Sequence, residues 1–415
     1  MKQIIYIILL GVGLLSHAQI VYQNRCFSPL IRTVTLEQYG KEMSEPVLYL
    51  NKEKKLLLQF DELSEETVNY EYTIVHCNSD WTQSNLDINL YLEGFEVGQI
   101  EKYKNSLNTV QRYVHYSQTI PSSDMRLLKS GNYAIKVFER NNPDKVIFTR
   151  RFYVVDEQSN IRAEIRQSSQ TSLMKTHQEV NVKVGSKGLR FFQNPEAYMK
   201  VYVSQNDRED NKRELKRRGM SGTEIDYSFD VSNQFEGGNE FRNFDISSLR
   251  SRSNYVQGFS FYDNQNIAVL REERIKSSFP YSTEKDLNGS FLIRNEYNED
   301  KNTYSDYSWV YFTLPLPYNA EGDFYVVGAM TDWRMEAPNL FRWEEGKYRA
   351  ELYLKQGYYN YQILFLPKGS SVASYKEAEG NHYETHNNYK VFVYYRNFSD
   401  DYDELIGYLS IDKNK

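Results

Sequence analysis

Apolar and polar residues alternate along most of this chain. The alternation is strict in Ile161-Arg162-Ala163-Glu164-Ile165-Arg166 and in Glu179-Val180-Asn181-Val182-Lys183-Val184. Ala197, Met199, Val201 and Val203 share one face of a third segment. Successive side chains on a β-strand point to opposite faces, so a period of two marks strands with one face in a core and one in water. Further strands are expected at 30–36, 54–60, 68–77, 131–139, 146–155, 309–314, 323–328, 347–354, 358–366 and 389–395. No segment carries the sustained 3.6-residue apolar stripe of an amphipathic helix. Many short strands between turn signals predict an all-β chain of β-sandwiches.

The strands fall into three blocks. Arg151-Phe152-Tyr153-Val154-Val155-Asp156 reads as a closing strand, and the polar Glu157-Gln158-Ser159-Asn160 as a hinge. A second break lies within 285–305, where Asn, Asp, Glu and Lys dominate. The expected units are 19–156, 157–288 and 289–415, three consecutive immunoglobulin-like sandwiches of ordinary domain size. A length of 415 residues fits two to four domains at roughly 100–200 residues each.

The N-terminus stands apart. Lys2 precedes an apolar run from Ile4 to Leu15, followed by Ser16-His17-Ala18. A positive start, a short apolar core and small residues before the cut make a secretory signal peptide, residues 1–18. The run is too short to span a bilayer, which takes about 20 apolar residues. No Cys stands directly after the cut, where Gln19 follows Ala18, which argues against a lipid anchor, and no later segment is long and apolar enough to span. The mature chain is expected to be exported, without inserting into the membrane.

Composition sharpens this picture. The 36 Tyr, 22 Phe and 4 Trp favour pleated, half-buried surfaces over disorder. A formal charge of −6 argues against a nucleic-acid partner, which would call for a Lys/Arg excess. Only two cysteines are present, too few for a disulfide scaffold or a four-cysteine zinc site. A bond between Cys26 and Cys77 would contribute about 2–4 kcal/mol. Two separate thiols, with Cys77 a buried small hydrophobe, explain the pair equally well.

Candidate chemistry is sparse. His76-Cys77 with His115 has ligand types that suit zinc, but a buried strand cysteine and structural histidines account for them better. His382-x-Glu384-x-His386 has helical ligand spacing, yet on a strand the two rings would stand about 13 Å apart. There is no G-x-S-x-G elbow, phosphate loop or dinucleotide fingerprint. Neither a catalytic residue nor a metal or cofactor is expected. Residues 207–218 carry ten charges in twelve positions and read as a solvated hairpin tip, or more sharply as a partner contact.

Two resemblances add to this reading. Trp309-Val310-Tyr311-Phe312-Thr313-Leu314-Pro315, Phe324 to Trp333 and Gly357-Tyr358-Tyr359-Asn360-Tyr361-Gln362-Ile363 resemble the early-set immunoglobulin-like sandwich of glycogen-binding modules. A Trp at the Trp333 position can stack on sugar there, but the second sugar-binding aromatic has no counterpart. Packing of Trp333 against its own sheet is the preferred reading.

The second resemblance runs through the chain. Its stretches are His76-Cys77-Asn78-Ser79-Asp80-Trp81, Asn108-Thr109-Val110-Gln111-Arg112-Tyr113-Val114-His115-Tyr116, Gly237-Gly238-Asn239-Glu240-Phe241-Arg242-Asn243-Phe244-Asp245 and Glu379-Gly380-Asn381-His382-Tyr383-Glu384-Thr385. Together with Tyr91 to Phe95, Ser130 to Tyr133, Arg150 to Val154 and Tyr389 to Arg396, they resemble the plug protein family of the type IX secretion system of Bacteroidota. The resemblance implies a non-enzymatic periplasmic protein at the mouth of a large outer-membrane translocon barrel, closing it when idle. The chain ends at Ser410 to Lys415 with no separate sorting domain in view, which fits machinery kept in the periplasm. Docking anchors are expected around Asp80-Trp81 and at Asn239, Glu240, Phe241 and Arg242; bracing of the sandwiches explains those loops equally well. The alternative function is a periplasmic or surface carbohydrate-binding protein using the C-terminal sandwich. A hydrolase would rest on acidic content alone.

The mature protein should begin at Gln19, and mass spectrometry of the periplasmic fraction checks this. An intact Met1 terminus, or recovery of an acylated form only, would contradict it.

Overall fold

The structure, a computed structural model, describes residues 20–186, 195–396 and 402–413. The expected signal peptide lies outside the described residues. The fold is all-β, as the period of two requires, and the helical segments among the described residues are single short turns. Each strand expected from alternation is present, for example Leu56–Glu62, Tyr70–Cys77, Gly131–Glu139 and Lys347–Lys355.

The first sandwich packs two sheets. One runs Arg25–Cys26, Asn142–Val155, Gly131–Glu139, Tyr70–Cys77, Val97–Ile100, with Val47–Tyr49 parallel to the end of Asn142–Val155. The other runs Ile31–Gln38, Leu56–Glu62, Val114–Ile120, Lys102–Asn105. Leu56, Leu58 and Phe60 face inward from one sheet, and Tyr72, Ile74, Ile135 and Val137 from the other. Phe60 stacks on Tyr116 at 4.9 Å between ring centroids.

The second sandwich is not a contiguous stretch. One sheet holds Ser159–Gln167, His177–Ser186, Glu224–Tyr227 and Gly219–Ser221. The other holds Arg213–Glu214, Met199–Gln205, Asn388–Tyr395 and Glu404–Asp412. The third sandwich is inserted between Gln234–Glu236 and Asn388–Tyr395. Its sheets are built on Gly357–Pro367, flanked by Arg242–Asp245, Phe291–Ile293 and Gly322–Val327, and on the row Val256–Tyr262, Gln265–Leu270, Tyr307–Leu314, Lys347–Lys355, Arg342–Glu344.

This corrects the expected division at 288/289. Strands Arg242–Asp245, Val256–Tyr262 and Gln265–Leu270 belong to the third core, and the last two strands to the second. Local patterning identifies a strand but not its partner, and Met199 pairs with Tyr395, far along the chain. Asn388–Tyr395 is apolar on both faces for a reason. Tyr389, Val391, Val393 and Tyr395 enter the second core, while Phe392 and Tyr394 pack with Leu405 on Val47 and Val155 of the first sandwich.

The charged run 207–218 is solvated only in part: Glu209, Glu214 and Lys216 to Arg218 are exposed, but its first half is anchored. Arg208 is buried, pairs with Asp210 and donates to the Ala373 carbonyl at 2.7 Å, while the Lys212 ammonium lies over the Tyr202 and Phe392 rings.

Because the second sandwich needs its last two strands, a fragment spanning 157–288 should be unfolded and one spanning 157–413 should melt cooperatively. Circular dichroism melts check this; cooperative melting of the shorter fragment would contradict the interleaved topology.

Candidate functional site

Each sandwich buries its inward faces, so the outward faces decide how the units meet. On Leu56–Glu62 the residues between Leu58, Phe60 and Glu62 are Gln59 and Asp61, on the outward face. His115 on Val114–Ile120, Tyr307 on Tyr307–Leu314 and Lys355 on Lys347–Lys355 are likewise out of phase with their own cores. The structure brings these outward residues together. Lys355 Nζ donates to Asp61 at 2.6 Å, Tyr307 donates its hydroxyl at 2.7 Å, and His115 Nδ1 lies 2.7 Å from the other carboxylate oxygen. Lys355 also donates to the Asn302 carbonyl and sits 4.2 Å from the Tyr113 ring centroid. Asp61 and Lys355 are almost fully buried. Burial opposes the Asp61 charge, but Lys355 and His115 outweigh it and hold its carboxyl below the ordinary range. Nearby, Asp306 accepts from the Val110 and Gln111 amides at 2.7 and 3.1 Å. The first and third sandwiches are thus joined by charge and hydrogen bonds, with Tyr113 and Tyr307 covering the ions.

All three sandwiches border a cleft of about 1270 Å³. Ion pairs cross it. Arg150 reaches Asp332 at 3.3 Å, Arg151 reaches Glu209 at 3.4 Å, and Lys390 pairs with both Asp207 and Glu45. Burial opposes the Lys390 charge, yet the two carboxylates hold it above the ordinary lysine range. Arg334 of the third sandwich donates to Gln23 and Asn24 of the first.

Most of the residues expected as docking anchors are buried rather than on exposed loops. Of Asp80, Trp81, Asn239, Glu240, Phe241 and Arg242, only Asp80 is exposed. Trp81 takes a left-handed backbone (φ 67°) and holds the N-terminal segment: its carbonyl accepts from the Tyr22 amide, and the Arg151 guanidinium covers its ring at 4.1 Å. Arg242 donates to Glu379 at 2.8 Å, Glu273 at 2.7 Å and the Arg274 carbonyl. Glu240 accepts from Tyr281 and lies 3.2 Å from His386. Asn239 bonds the Glu379 carbonyl, and Phe241 is sealed inside. The preceding Gly237 abuts the His382 carbonyl so closely that a Cβ would lie 2.0 Å from its oxygen. This segment is an internal brace between the second and third units.

The cysteines are free thiols, which corrects the disulfide alternative. Cys26 and Cys77 lie on strands of one sheet with two strands between them, about 14 Å across the sheet at the usual strand spacing, and the register aligns Cys26 with Tyr72, five residues short of Cys77, so the thiols are farther apart still. His76 uses both ring nitrogens, on Ser84 and the Ser130 carbonyl, and burial pushes it down to about 4. His115 is on the other sheet, and among the described residues no group of three or more His, Cys, Asp or Glu is arranged to hold a metal. Trp333 is half-buried, edge-on to Phe241 at 6.0 Å, with its ring pressed on Gly289. It borders the cleft together with Trp81.

These features define an all-β protein of interleaved sandwiches around a central ion-paired cleft. Residues 31–156 match the family model described as the type 9 secretion system plug protein first domain. The chain belongs to the type IX secretion plug family and has a role connected with that secretion system. Its fold matches the crystal structure of a hypothetical protein from Parabacteroides merdae ATCC 43184, with a TM-score of 0.92 and 32% identity, covering 95% of this chain and 100% of the other. No protein of curated function matches.

Replacing Asp61 strands a buried ammonium, so Asp61→Asn should cost roughly 3–5 kcal/mol of stability. Because the folded carboxyl titrates below its unfolded value, near 4, the stabilisation is complete above that pH and is lost as pH falls through the lower folded value. Urea unfolding of both proteins from pH 7 to pH 3 checks this. The gap between them should narrow in acid; a gap independent of pH would contradict the assignment.

Proposed function

We propose that the protein closes the periplasmic opening of the outer-membrane type IX translocon barrel by binding, without catalysis. The observation that carries this reading is mechanical. Three sandwiches are held to one another by buried ion pairs, the Asp61–Lys355 pair foremost, and by a strand, Asn388–Tyr395, that belongs to two cores at once. A wide barrel leaks small solutes when open, and closing it calls for a folded body that resists deformation rather than for a reactive group. Membership in the plug family supports the same reading. The carbohydrate alternative is weakened by the tryptophans: Arg151 covers the Trp81 ring, and Trp333 packs on Phe241 and Gly289.

Deleting the gene should leave the barrel assembled but permeable to small antibiotics, and tagged protein should recover the barrel from solubilised outer membranes. A normal permeability barrier in the deletion strain, with empty translocons present, would contradict the proposal.

A further inference from the structure

We propose that the central cleft takes up an extended, lysine- or arginine-bearing peptide segment of a partner protein, added as a strand along the free edge of Ile31–Gln38. This inference rests on the cleft and is independent of pore closure. At about 1270 Å³ the cleft exceeds the roughly 300–1,000 Å³ of ordinary small-molecule sites, which favours a polymer. Ile31–Gln38 pairs with Leu56–Glu62 alone among the described strands; at its end the Gln38 amide donates to the Ser44 hydroxyl at 2.7 Å, and residues 34–37, before that cap, line the cleft. An open strand edge on a cleft wall is the arrangement that accepts an added strand.

The side chains indicate the sign of the guest. Carboxylates outnumber Lys and Arg nine to five among the lining residues. The cations are already engaged: Arg150, Arg151, Arg334 and Lys390 by carboxylates, and Lys212 by the Tyr202 and Phe392 rings. Five of the nine carboxylates pair with those cations and Asp210 with the buried Arg208, so the negative sign is carried by Glu37 and Asp80, which suits a cationic segment. Three lining residues also carry a buried N–H with no partner among the described residues, at Trp81 Nε1, Arg150 Nε and Arg334 Nε. An unpaired buried donor is costly, and peptide carbonyls supply acceptors. A sugar would need a free aromatic face, which neither Trp81 nor Trp333 offers.

The test is an anisotropy titration of the full chain with a labelled eight-residue peptide alternating Lys and Val. An equal-length Glu/Val peptide and maltohexaose serve as comparisons. The Lys/Val peptide should bind saturably, at least about tenfold tighter than the Glu/Val peptide, and more weakly in high salt. Met43 and Ser371 are exposed cleft residues, so Met43→Lys with Ser371→Lys should preserve the melting temperature and weaken binding by about fivefold or more. Amide exchange at residues 33–37 should slow on binding. Equal affinity for the two peptides, no saturation by about 1 mM, unchanged exchange at 33–37, or displacement by maltohexaose would each overturn the proposal.

Discussion

The carboxylate of Asp61 receives an ammonium, a phenol and an imidazole, and the first two come from a different sandwich than the imidazole. Lys355 and Tyr307 come from the third unit and His115 from the first, so the relative position of two domains converges on one side chain. A buried ion pair adds little net stability over an apolar contact of the same shape, because desolvating both charges is costly. It is strict about geometry, however: any sliding of the units strands a charge. Within the third unit Arg242 is fixed in the same way, held between Glu379 and Glu273. Precision of assembly, more than gross stability, is what these ions supply.

The cleft follows from this arrangement. Three convex sandwiches joined at a few points leave a space between them, and that space is edged by Arg150–Asp332, Arg151–Glu209 and Lys390 with its two carboxylates. The wall residues on strand Asn142–Val155 are fixed from behind by a core containing Phe148, Phe152 and Val154. Such a body suits the proposed closure of a barrel, since no ordering of domains is left to occur on docking.

Period-two patterning made the strands and the all-β class legible, because each sandwich buries one face of each strand. It could not reveal what covers the other face. Asp61, His115, Tyr307 and Lys355 all sit at positions the alternation marks as wet, and they are dry only because another unit lies on them. Insertion of the third sandwich was hidden for a related reason: Asn388–Tyr395 follows the third unit in sequence but pairs with Met199–Gln205. Its apolar residues on both faces were the one local sign of a strand shared by two cores. The Gly237 to Arg242 stretch looked like an exposed loop from its glycines, whereas those glycines allow close approach to His382 and Tyr375.

The central claim is that a rigid body blocks a pore. Its most direct test is the electrical conductance of the purified translocon barrel in a planar bilayer, with this protein added from the periplasmic side. The account predicts that the wild-type protein closes the channel reversibly and that Asp61→Asn, with its units loosened, closes it incompletely at equal occupancy. Undiminished conductance with the wild-type protein bound to the barrel would contradict it.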